Sequence, residues 1–249
     1  YTNPRVQKRK HALLAGKDIY TKAAGLPDNL TMVTPRLTMP INFLPNGFLY
    51  ESLARHNDRI VTNTIRQIIA DFDVERFIFF NAFDPFFCRD LPPDIKPVKT
   101  VYQSMDDITQ AEYTSRHGAR LEEEIIRKFD ITLTTSQELR RLKSKFSRHV
   151  YYHPNAADFS NFKRALSETF ARPSELVPAE GKKIIGYTGN IETRVDYELL
   201  KEVAGSHKDK AIVMVGPITT PDAKASGRPA NNPRVPSAGE VVGLYREAW

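Results

Sequence analysis

The sequence predicts an α/β protein whose sheets are mostly parallel and doubly wound. Apolar runs typical of strands alternate with segments of helical periodicity. The alternation lapses over residues 159–181, which contain a short helical piece, two prolines and a glycine, and it resumes at Lys182. Strands that alternate with helices are typical of parallel sheets. We therefore expect a first domain at 1–160, a linker at 161–181 and a second domain at 182–249.

The first half of the first domain is predicted to contain a long helix followed by a buried strand. Apolar residues recur at helical spacing over 57–72, and Asn57 or Asp58 is the expected N-cap. The run "RFIFF" (76–80) is apolar throughout, which is typical of a strand covered on both faces. Further elements are predicted as strands at 29–35, 98–103, 130–135 and 148–155 and as a helix at 119–129.

The remaining predicted elements are a helix near the end of the first domain and the elements of the second domain. Thr135 and Glu138 have the T-x-x-E spacing of a capping box and are expected to begin a helix over 136–146. The second domain is predicted to begin with a strand at 182–188, a helix at 195–206 and a strand at 210–216. One face of that helix is apolar, as packing against a sheet requires.

Composition limits the class of protein and its partners. A net charge of +6 and an isoelectric point near 9.3 favour anionic partners, namely nucleotides, nucleic acid or acidic lipid headgroups. Cys88 is the only cysteine, which excludes an intramolecular disulfide and a cysteine-based metal cluster and fits a reducing, cytoplasmic setting. The basic stretch 137–146 is either a solvated helix face or a peripheral contact with an anionic membrane.

The strong catalytic and nucleotide-binding motifs do not occur in this sequence. It contains no G-x-G-x-x-G and no G-x-x-x-x-G-K-[ST] phosphate loop. It also lacks H-E-x-x-H, a clustered His/Cys ligand set and the G-x-S-x-G elbow of hydrolases. The motifs therefore give no reason to expect a metal or a cofactor. RNA-recognition signatures are absent as well, and nucleic acid is not an expected partner.

Gly189, Asn190 and Arg194 follow the first predicted strand of the second domain. In open α/β sheets, ligands bind beyond the carboxyl ends of the strands. Gly189 removes a side chain there, and Arg194 could donate paired hydrogen bonds to a diphosphate near a positive helix N-terminus. The alternative is that Gly189 only makes the turn and Arg194 is solvated.

Polar side chains also follow strands of the first domain. Asp106 and Asp107 come just after the strand at 98–103, where a carboxylate could orient a substrate hydroxyl or accept its proton. The alternative is that one of them caps a helix. Asn81 follows the strand at 76–80, and Asn155 and Asp158 lie near the domain boundary. These three are predicted to line a cleft, with a plain turn as the alternative.

Four segments together resemble one enzyme family. They are "VYQSMDD", "DITLTTSQELRRLK", "YYHPNAADFSNF" and "IIGYTGNIETRVDYELLKEVA", the last followed by "IVMVGP". Their order and spacing over residues 70–217 are similar to those of bacterial family 4-type glycosyltransferases of the GT-B architecture. The resemblance implies two Rossmann-like domains that face a cleft, a nucleotide-sugar donor held by the C-terminal domain, and metal-independent transfer, usually with retention at the anomeric carbon.

The resemblance also implies roles for individual residues. Gly189 and Asn190 fall on the turn that faces the donor diphosphate. Arg194 falls where these enzymes carry a basic residue that reaches the phosphates. Asp106, with Asp107 beside it, falls where many of them carry a His or Asp near the acceptor hydroxyl. These residues are the expected donor-binding and catalytic groups.

The sequence departs from the family pattern at several points. Asn155 and Asp158 fall on the turn before the hinge, but Ala156 stands where a glycine is usual. The resemblance implies a first strand ahead of Tyr1 and an acidic donor motif beyond Trp249. We therefore expect a partial chain with an incomplete C-terminal domain, which binds donor weakly by itself.

The function expected from the resemblance is transfer of a sugar from a nucleotide-sugar donor to a saccharide or lipid-linked acceptor of the cell envelope. The expected location is the cytoplasm, with a peripheral contact at the inner face of the membrane. Two alternatives stay open. One is a non-catalytic module of the same fold that binds nucleotides or glycans, and the other is a sugar epimerase of the GT-B architecture.

Overall fold

A computed structural model describes residues 4–17, 19–22, 25, 27–109, 112–171, 173–192 and 195–218. The chain divides into two compact units, Tyr1–Asn155 (unit 1) and Ala156–Trp249 (unit 2). Among the described helices, none is long and apolar enough to cross a membrane.

Unit 1 is a mixed α/β structure with a parallel central sheet. Its described helices are α1 (Pro4–Leu14), α2 (Phe48–Asp71), α3 (Glu112–Lys128) and α4 (Gln137–Lys143). Its described strands are β1 (Tyr20–Thr21), β2 (Met32–Val33), β3 (Ile78–Ala82), β4 (Lys99–Ser104), β5 (Ile131–Thr134) and β6 (Val150–Tyr152). Strands β3 to β6 form one sheet in chain order, and every neighbouring pair is parallel. The predicted α/β class with a mostly parallel sheet is confirmed, whereas β1 and β2 form a separate antiparallel pair.

Two apolar clusters hold the helices of unit 1 to this sheet and to its loops. The first cluster lies between α2, α3, the loop that precedes α2 and the loops that follow β3 and β4; its buried members are Ile41, Tyr50, Ala54, Phe86, Ile108 and Leu121. The second cluster joins β4 to α3; its buried members are Tyr102, Ile125, Ile126 and Phe129. Removal of this apolar surface from water is the main force that stabilises the unit.

A buried ion pair links β4, α3 and α4. The Glu122 carboxylate accepts hydrogen bonds from the hydroxyls of Tyr102 (3.1 Å) and Ser104 (2.6 Å), and the Lys143 ammonium lies 2.6 Å from its other oxygen. Burial, and then the neighbouring Glu122 carboxylate, raise the pKa of the Tyr102 hydroxyl. Both Glu122 oxygens are therefore paired, as a charge in a protein interior requires.

Unit 2 contains a shorter run of the same kind of elements. Its described elements are α5 (Phe159–Ser167), a 3-10 helix (Ser174–Ala179), β7 (Lys183–Thr188), α6 (Tyr197–Ser206) and β8 (Lys210–Val215). Strands β7 and β8 are parallel and pair along their whole length. Every residue of β7 is exposed, and neither α5 nor α6 contains a buried residue. The predicted strand–helix–strand order is thus present, but little of its surface is covered by the described residues.

The predicted start of the long helix, at residue 57, is wrong by nine residues. Helix α2 begins at Phe48, and Gly47 is its N-cap without a side-chain hydrogen bond. The expected cap residues are inside the helix and have tertiary partners instead. The side-chain amide of Asn57 exchanges two hydrogen bonds of 2.9 Å with the backbone of Met39, and the Asp58 carboxylate accepts one of 2.8 Å from the backbone N–H of Cys88.

Two further local predictions are corrected. The N-cap of α4 is Ser136 and not Thr135, since the Ser136 hydroxyl accepts the hydrogen bond from the backbone N–H of Leu139. Strand β3 is not covered on both faces. It lies at the edge of the described sheet, and its Ile78 and Phe80 side chains are exposed. An apolar run therefore did not distinguish a central strand from this edge strand.

Candidate functional site

The carboxylates predicted to be catalytic lie at the carboxyl end of the parallel sheet in unit 1. Asp106 and Asp107 follow β4 directly, and both are exposed. The loop that carries them is fixed to the adjacent corner after β5. The Thr135 hydroxyl donates a hydrogen bond of 2.5 Å to the Met105 carbonyl, and the Thr135 N–H donates one of 3.3 Å to the Ser104 carbonyl. The sheet thus holds both carboxylates at a defined edge.

The two carboxylates have different surroundings. Oδ1 of Asp107 accepts hydrogen bonds from the backbone N–H (3.1 Å) and the hydroxyl (2.7 Å) of Thr109, which closes a tight local turn. Neither aspartate adjoins a helix start, because α3 begins at Glu112. Asp107 therefore shapes the turn, and the Asp106 carboxylate next to it is exposed.

Asn81 is at the end of β3, next to β4 in the sheet, and organises the loop that follows. Its buried side-chain amide donates hydrogen bonds to the carbonyls of Asp84 (2.8 Å) and Phe87 (3.3 Å) and accepts one from the Asp84 N–H (2.9 Å). This residue, predicted to line a cleft, is thus engaged with its own loop. Asn81 lies within the last two residues of β3 and not after the strand as predicted.

The loop after β3 contains conformational strain that the sequence did not reveal. Phe83 and Cys88 adopt the left-handed region with φ of 59° and 55°, which costs non-glycine residues about 1–3 kcal/mol each.

The same loop contains two ionisable side chains with raised pKa values, Asp84 and Cys88. Burial raises the pKa of the Asp84 carboxyl, and the nearby Asp58 carboxylate raises it further. Burial also raises the pKa of the Cys88 thiol to about 12, so this cysteine stays protonated and is not a nucleophile.

The residues predicted to line the cleft near the domain boundary fall in different units. Asn155 is the last residue of unit 1 and is exposed. Asp158 belongs to unit 2, where its exposed carboxylate accepts a hydrogen bond of 3.2 Å from the backbone N–H of Asn161 and caps α5. Asp158 therefore has a definite local role at a helix start.

In the region predicted to bind the donor, the chain after β7 continues alongside the chain after β8. The Gly189 N–H donates to the Val215 carbonyl, and the Ile191 N–H donates to the Pro217 carbonyl, each at 2.9 Å. The Tyr187 hydroxyl donates a hydrogen bond of 3.0 Å to the carbonyl of Asn190, which is exposed. The N–H groups of Gly189 and Ile191 are consequently already paired with backbone.

Two glycines make this close approach of the strand ends possible. A Cβ added at Gly216 would lie 1.7 Å from the Gly189 carbonyl oxygen, a distance that no side chain can occupy. A Cβ added at Gly189 would lie 3.1 Å from the Tyr187 hydroxyl. Both glycines also have φ of 155°, which L side chains rarely adopt. Packing thus requires a glycine at 216 and favours one at 189.

The start of α6 carries a carboxylate of its own. Asp196 is the N-cap, and its side chain accepts a hydrogen bond of 2.9 Å from the Leu199 N–H. A carboxylate interacts favourably with the positive end of the helix dipole and partly neutralises it. Arg194, the predicted phosphate contact, lies outside the described residues, and its role stays a prediction.

Comparisons with known proteins add no family to this picture. No protein-family model matches the chain, and no curated protein is significantly similar to it. Among the described residues, no group of three or more His, Cys, Asp or Glu side chains is arranged to hold a metal ion. The chemistry of the site therefore has to be inferred from the strand-end residues themselves.

Proposed function

We propose that this protein is a glycosyltransferase that moves a sugar from a nucleotide-sugar donor to a saccharide or lipid-linked acceptor. We also propose the GT-B architecture, without a required metal ion and with retention at the anomeric carbon. One observation carries the proposal: successive α/β units have polar or glycine residues at the carboxyl ends of parallel strands, with Asp106 after β4 and Gly189 after β7. Such strand ends are where α/β sheets bind ligands.

On the acceptor side, Asp106 has the exposure and position of a group that acts on a hydroxyl. Its neighbour Asp107 uses one oxygen to close the turn with Thr109. Asp106 would orient the acceptor hydroxyl towards the face of the sugar that the nucleoside diphosphate leaves, as retention requires. It would take the hydroxyl proton as the new glycosidic bond forms and the bond from the anomeric carbon to the diphosphate breaks, whereas Asp107 keeps the turn in shape. General base catalysis of this kind contributes about 10²- to 10⁴-fold in rate.

On the donor side, the main requirement is to stabilise the negative charge that develops on the departing nucleoside diphosphate. The Gly189 N–H is paired with Val215, and the Asp196 carboxylate lies at the start of α6. Backbone groups alone therefore offer little to a diphosphate here. The proposal assigns the main phosphate contact to Arg194, whose guanidinium can donate two parallel hydrogen bonds.

The test is sugar transfer by the full-length protein with a panel of nucleotide-sugar donors. We expect Arg194→Ala to lower kcat/KM by about 10²-fold or more, since it removes a donor that stabilises the transition state. Asp106→Asn should reduce kcat with little effect on donor binding. Lys201→Ala is the matched control because, among the residues that the structure describes, Lys201 pairs only with the exposed Glu198 on α6. Unchanged transfer by Arg194→Ala would refute the phosphate role.

One observation favours a second candidate, a non-catalytic module that binds nucleotides or glycans. The paired Gly189 N–H and the Asp196 carboxylate both weaken the anion site at the start of α6. A non-catalytic module would bind a nucleotide or glycan in calorimetry but would show no turnover with any donor. Its glycan binding would also be insensitive to Asp106→Asn.

A further inference from the structure

An apolar tip projects from unit 1 where the loop before α2 meets the helix. Its side chains are Phe43, Phe48 and Leu49, with relative exposures of 68%, 85% and 60%. Single exposed apolar residues are ordinary, but two consecutive ones with a third five residues away are a cluster. A side chain that is 85% exposed protrudes from the surface and does not line a groove.

The backbone of the loop behind the apolar tip is hydrogen-bonded to side chains of α2 and α3. Nε2 of the buried His117 donates a hydrogen bond of 2.9 Å to the Leu44 carbonyl, and the Arg116 guanidinium donates one to the Phe43 carbonyl. Asn57 holds the backbone of Met39 from the other side. The fold thus presents Phe43 outwards at a fixed position.

The face of α2 that continues from the apolar tip is basic. Arg55, His56 and Arg59 are exposed along the next turns of the helix. Neither arginine forms an ion pair with any residue that the structure describes, whereas the acidic neighbour Glu51 is paired with Arg120. At 1.5 Å per residue, the distance from Phe48 to Arg59 along the helix axis is about 16 Å.

The part of the sequence that contains the apolar tip also has a positive net charge. Residues 1–60 contain nine Lys or Arg and four Asp or Glu, a net charge of +5, against +6 for the whole chain. Nearly all of the excess positive charge is therefore in the part of the chain that contains the apolar tip. An apolar insertion element beside unpaired arginines is the chemistry that binds the interface of an anionic bilayer.

We propose that the apolar tip and the basic face of α2 dock unit 1 on an anionic lipid bilayer. Phe43, Phe48 and Leu49 enter the boundary between headgroups and acyl chains. Arg55 and Arg59 contact the acidic headgroups, which attract cationic side chains near the surface. The docking does not depend on sugar transfer and can be measured without it.

The structure favours this surface over the basic stretch 137–146 that the sequence indicates. Arg141 is paired with Glu138 at 2.6 Å, and the Lys143 ammonium is committed to the buried Glu122. Two of the cations of that stretch are thus already neutralised by partners within the chain. The other two basic residues of the stretch 137–146 are Arg140 and Lys145, which are exposed. They serve as the control for Arg55 and Arg59.

Flotation of the full chain with vesicles tests the proposal. Vesicles of phosphatidylcholine alone are compared with vesicles that also contain phosphatidylglycerol. We expect Phe48→Ser combined with Leu49→Ser to reduce partition onto the anionic vesicles about tenfold or more, because less apolar surface is removed from water. We expect Arg55→Gln combined with Arg59→Gln to reduce it by about fivefold per arginine at low salt.

Matched variants control for general effects of surface change. Leu199→Ser removes an exposed leucine from α6, and Arg140→Gln with Lys145→Gln removes two exposed cations from the stretch 137–146. Both controls should change partition less than twofold. A tryptophan reporter supplies a direct readout: in a Trp249→Phe background, Phe48→Trp emission should shift to the blue and be quenched by brominated lipid, and Leu199→Trp emission should not.

Several results would overturn the proposal. They are an absence of binding to anionic vesicles, equal partition of the Phe48/Leu49 variant, or loss of binding through Arg140 and Lys145 instead of Arg55 and Arg59. Binding to RNA or to an acidic protein in place of vesicles would overturn it as well. The substituted side chains of α2, α4 and α6 and of Lys145 are exposed, so an unchanged melting temperature will confirm that these variants are folded.

Discussion

The two units are built from the same kind of parallel strand–helix element, yet they bury their side chains to different degrees. In unit 1, β4 lies between β3 and β5 and packs under α3, and Tyr102 has no exposed surface. In unit 2, β7 pairs only with β8 among the described strands, and all of its residues are exposed. Local sequence is thus sufficient to form the strand, whereas burial depends on neighbours along both edges and faces.

The ion pairs of the two units also differ in how deeply they are buried. The Lys143–Glu122 pair of unit 1 is buried and linked to two hydroxyls, whereas the Lys201–Glu198 pair of unit 2 lies on an exposed helix. Loss of one partner has a large effect only where the other charge cannot be solvated. The difference in burial therefore predicts how the two units respond to matched substitutions.

The largest difference is expected for the two lysines. Lys143→Met leaves the Glu122 carboxylate buried without its counterion and should lower the free energy of unfolding of unit 1 by about 3–5 kcal/mol. Lys201→Met should change the stability of unit 2 by no more than about 1 kcal/mol. Amide hydrogen exchange, which reports each unit separately, is the measurement. Equal effects in the two units would contradict the comparison.

A slightly smaller difference is expected for two isoleucines. Ile125 is fully buried in α3, whereas Ile185 in β7 is 40% exposed. Ile125→Ala should cost about 2–5 kcal/mol because it leaves a cavity, and Ile185→Ala should cost less. Urea denaturation followed by hydrogen exchange on the strand amides would measure both. A larger loss for Ile185→Ala would mean that β7 is covered in solution by residues outside the described part.

Two helical glycines should respond with opposite signs. A Cβ at Gly118 of α3 would lie 2.7 Å from Cγ1 of the buried Ile108, while a Cβ at Gly205 of α6 meets nothing within 4 Å. Gly118→Ala should therefore destabilise unit 1 by about 1–3 kcal/mol through overpacking. Gly205→Ala should stabilise α6 by up to about 1 kcal/mol, as alanine favours helices. Thermal unfolding monitored by circular dichroism measures both, and the same sign for both would refute the packing difference.

The smallest expected difference is a pH effect at two aspartates that each precede a strand. Hydrogen bonds from the Thr100 N–H, the Lys99 ammonium and the Thr100 hydroxyl lower the pKa of Asp130 to about 2. The ionised Asp130 carboxylate stabilises the folded unit fully at pH values above its ordinary pKa of 3.8. This stabilisation is lost as the pH falls through about 2. Because Asp130 is partly exposed, we expect about 1 kcal/mol or less.

The matched aspartate in unit 2 is Asp209, whose pKa is lowered mainly by a hydrogen bond from the Lys210 ammonium at an exposed site. Asp130→Asn should flatten the dependence of the unfolding free energy on pH between 4 and 2, and Asp209→Asn should leave it nearly unchanged. Urea denaturation at pH 4.5, 3 and 2 measures this. A steeper dependence in Asp130→Asn would show that the sign is wrong.

The sequence predicted most of the strands because their signal is local. The apolar runs at β4, β5, β7 and β8 place each strand within one or two residues of its observed bounds. The start of α2 could not be found in this way. Asn57 and Asp58 have the residue types of helix caps, and only the folded chain shows that their partners are Met39 and Cys88.

The candidate site was predictable in part for the same reason. Because Asp106 and Gly189 follow strands, their place at a carboxyl edge could be inferred from strand order. The pairing of the Gly189 N–H with Val215 depends on a contact between segments far apart in sequence, which no local pattern encodes. The same holds for the loop after β3, where Phe83 and Cys88 carry strain without a glycine to signal it.

The contact between Gly216 and the Gly189 carbonyl has a consequence for how this protein can evolve. The atom that excludes a side chain at 216 belongs to the main chain, so no compensating side-chain change elsewhere can remove it. Any other residue at 216 therefore requires the ends of β7 and β8 to move apart. We expect substitutions around this corner to be tolerated more readily than a substitution of the glycine itself.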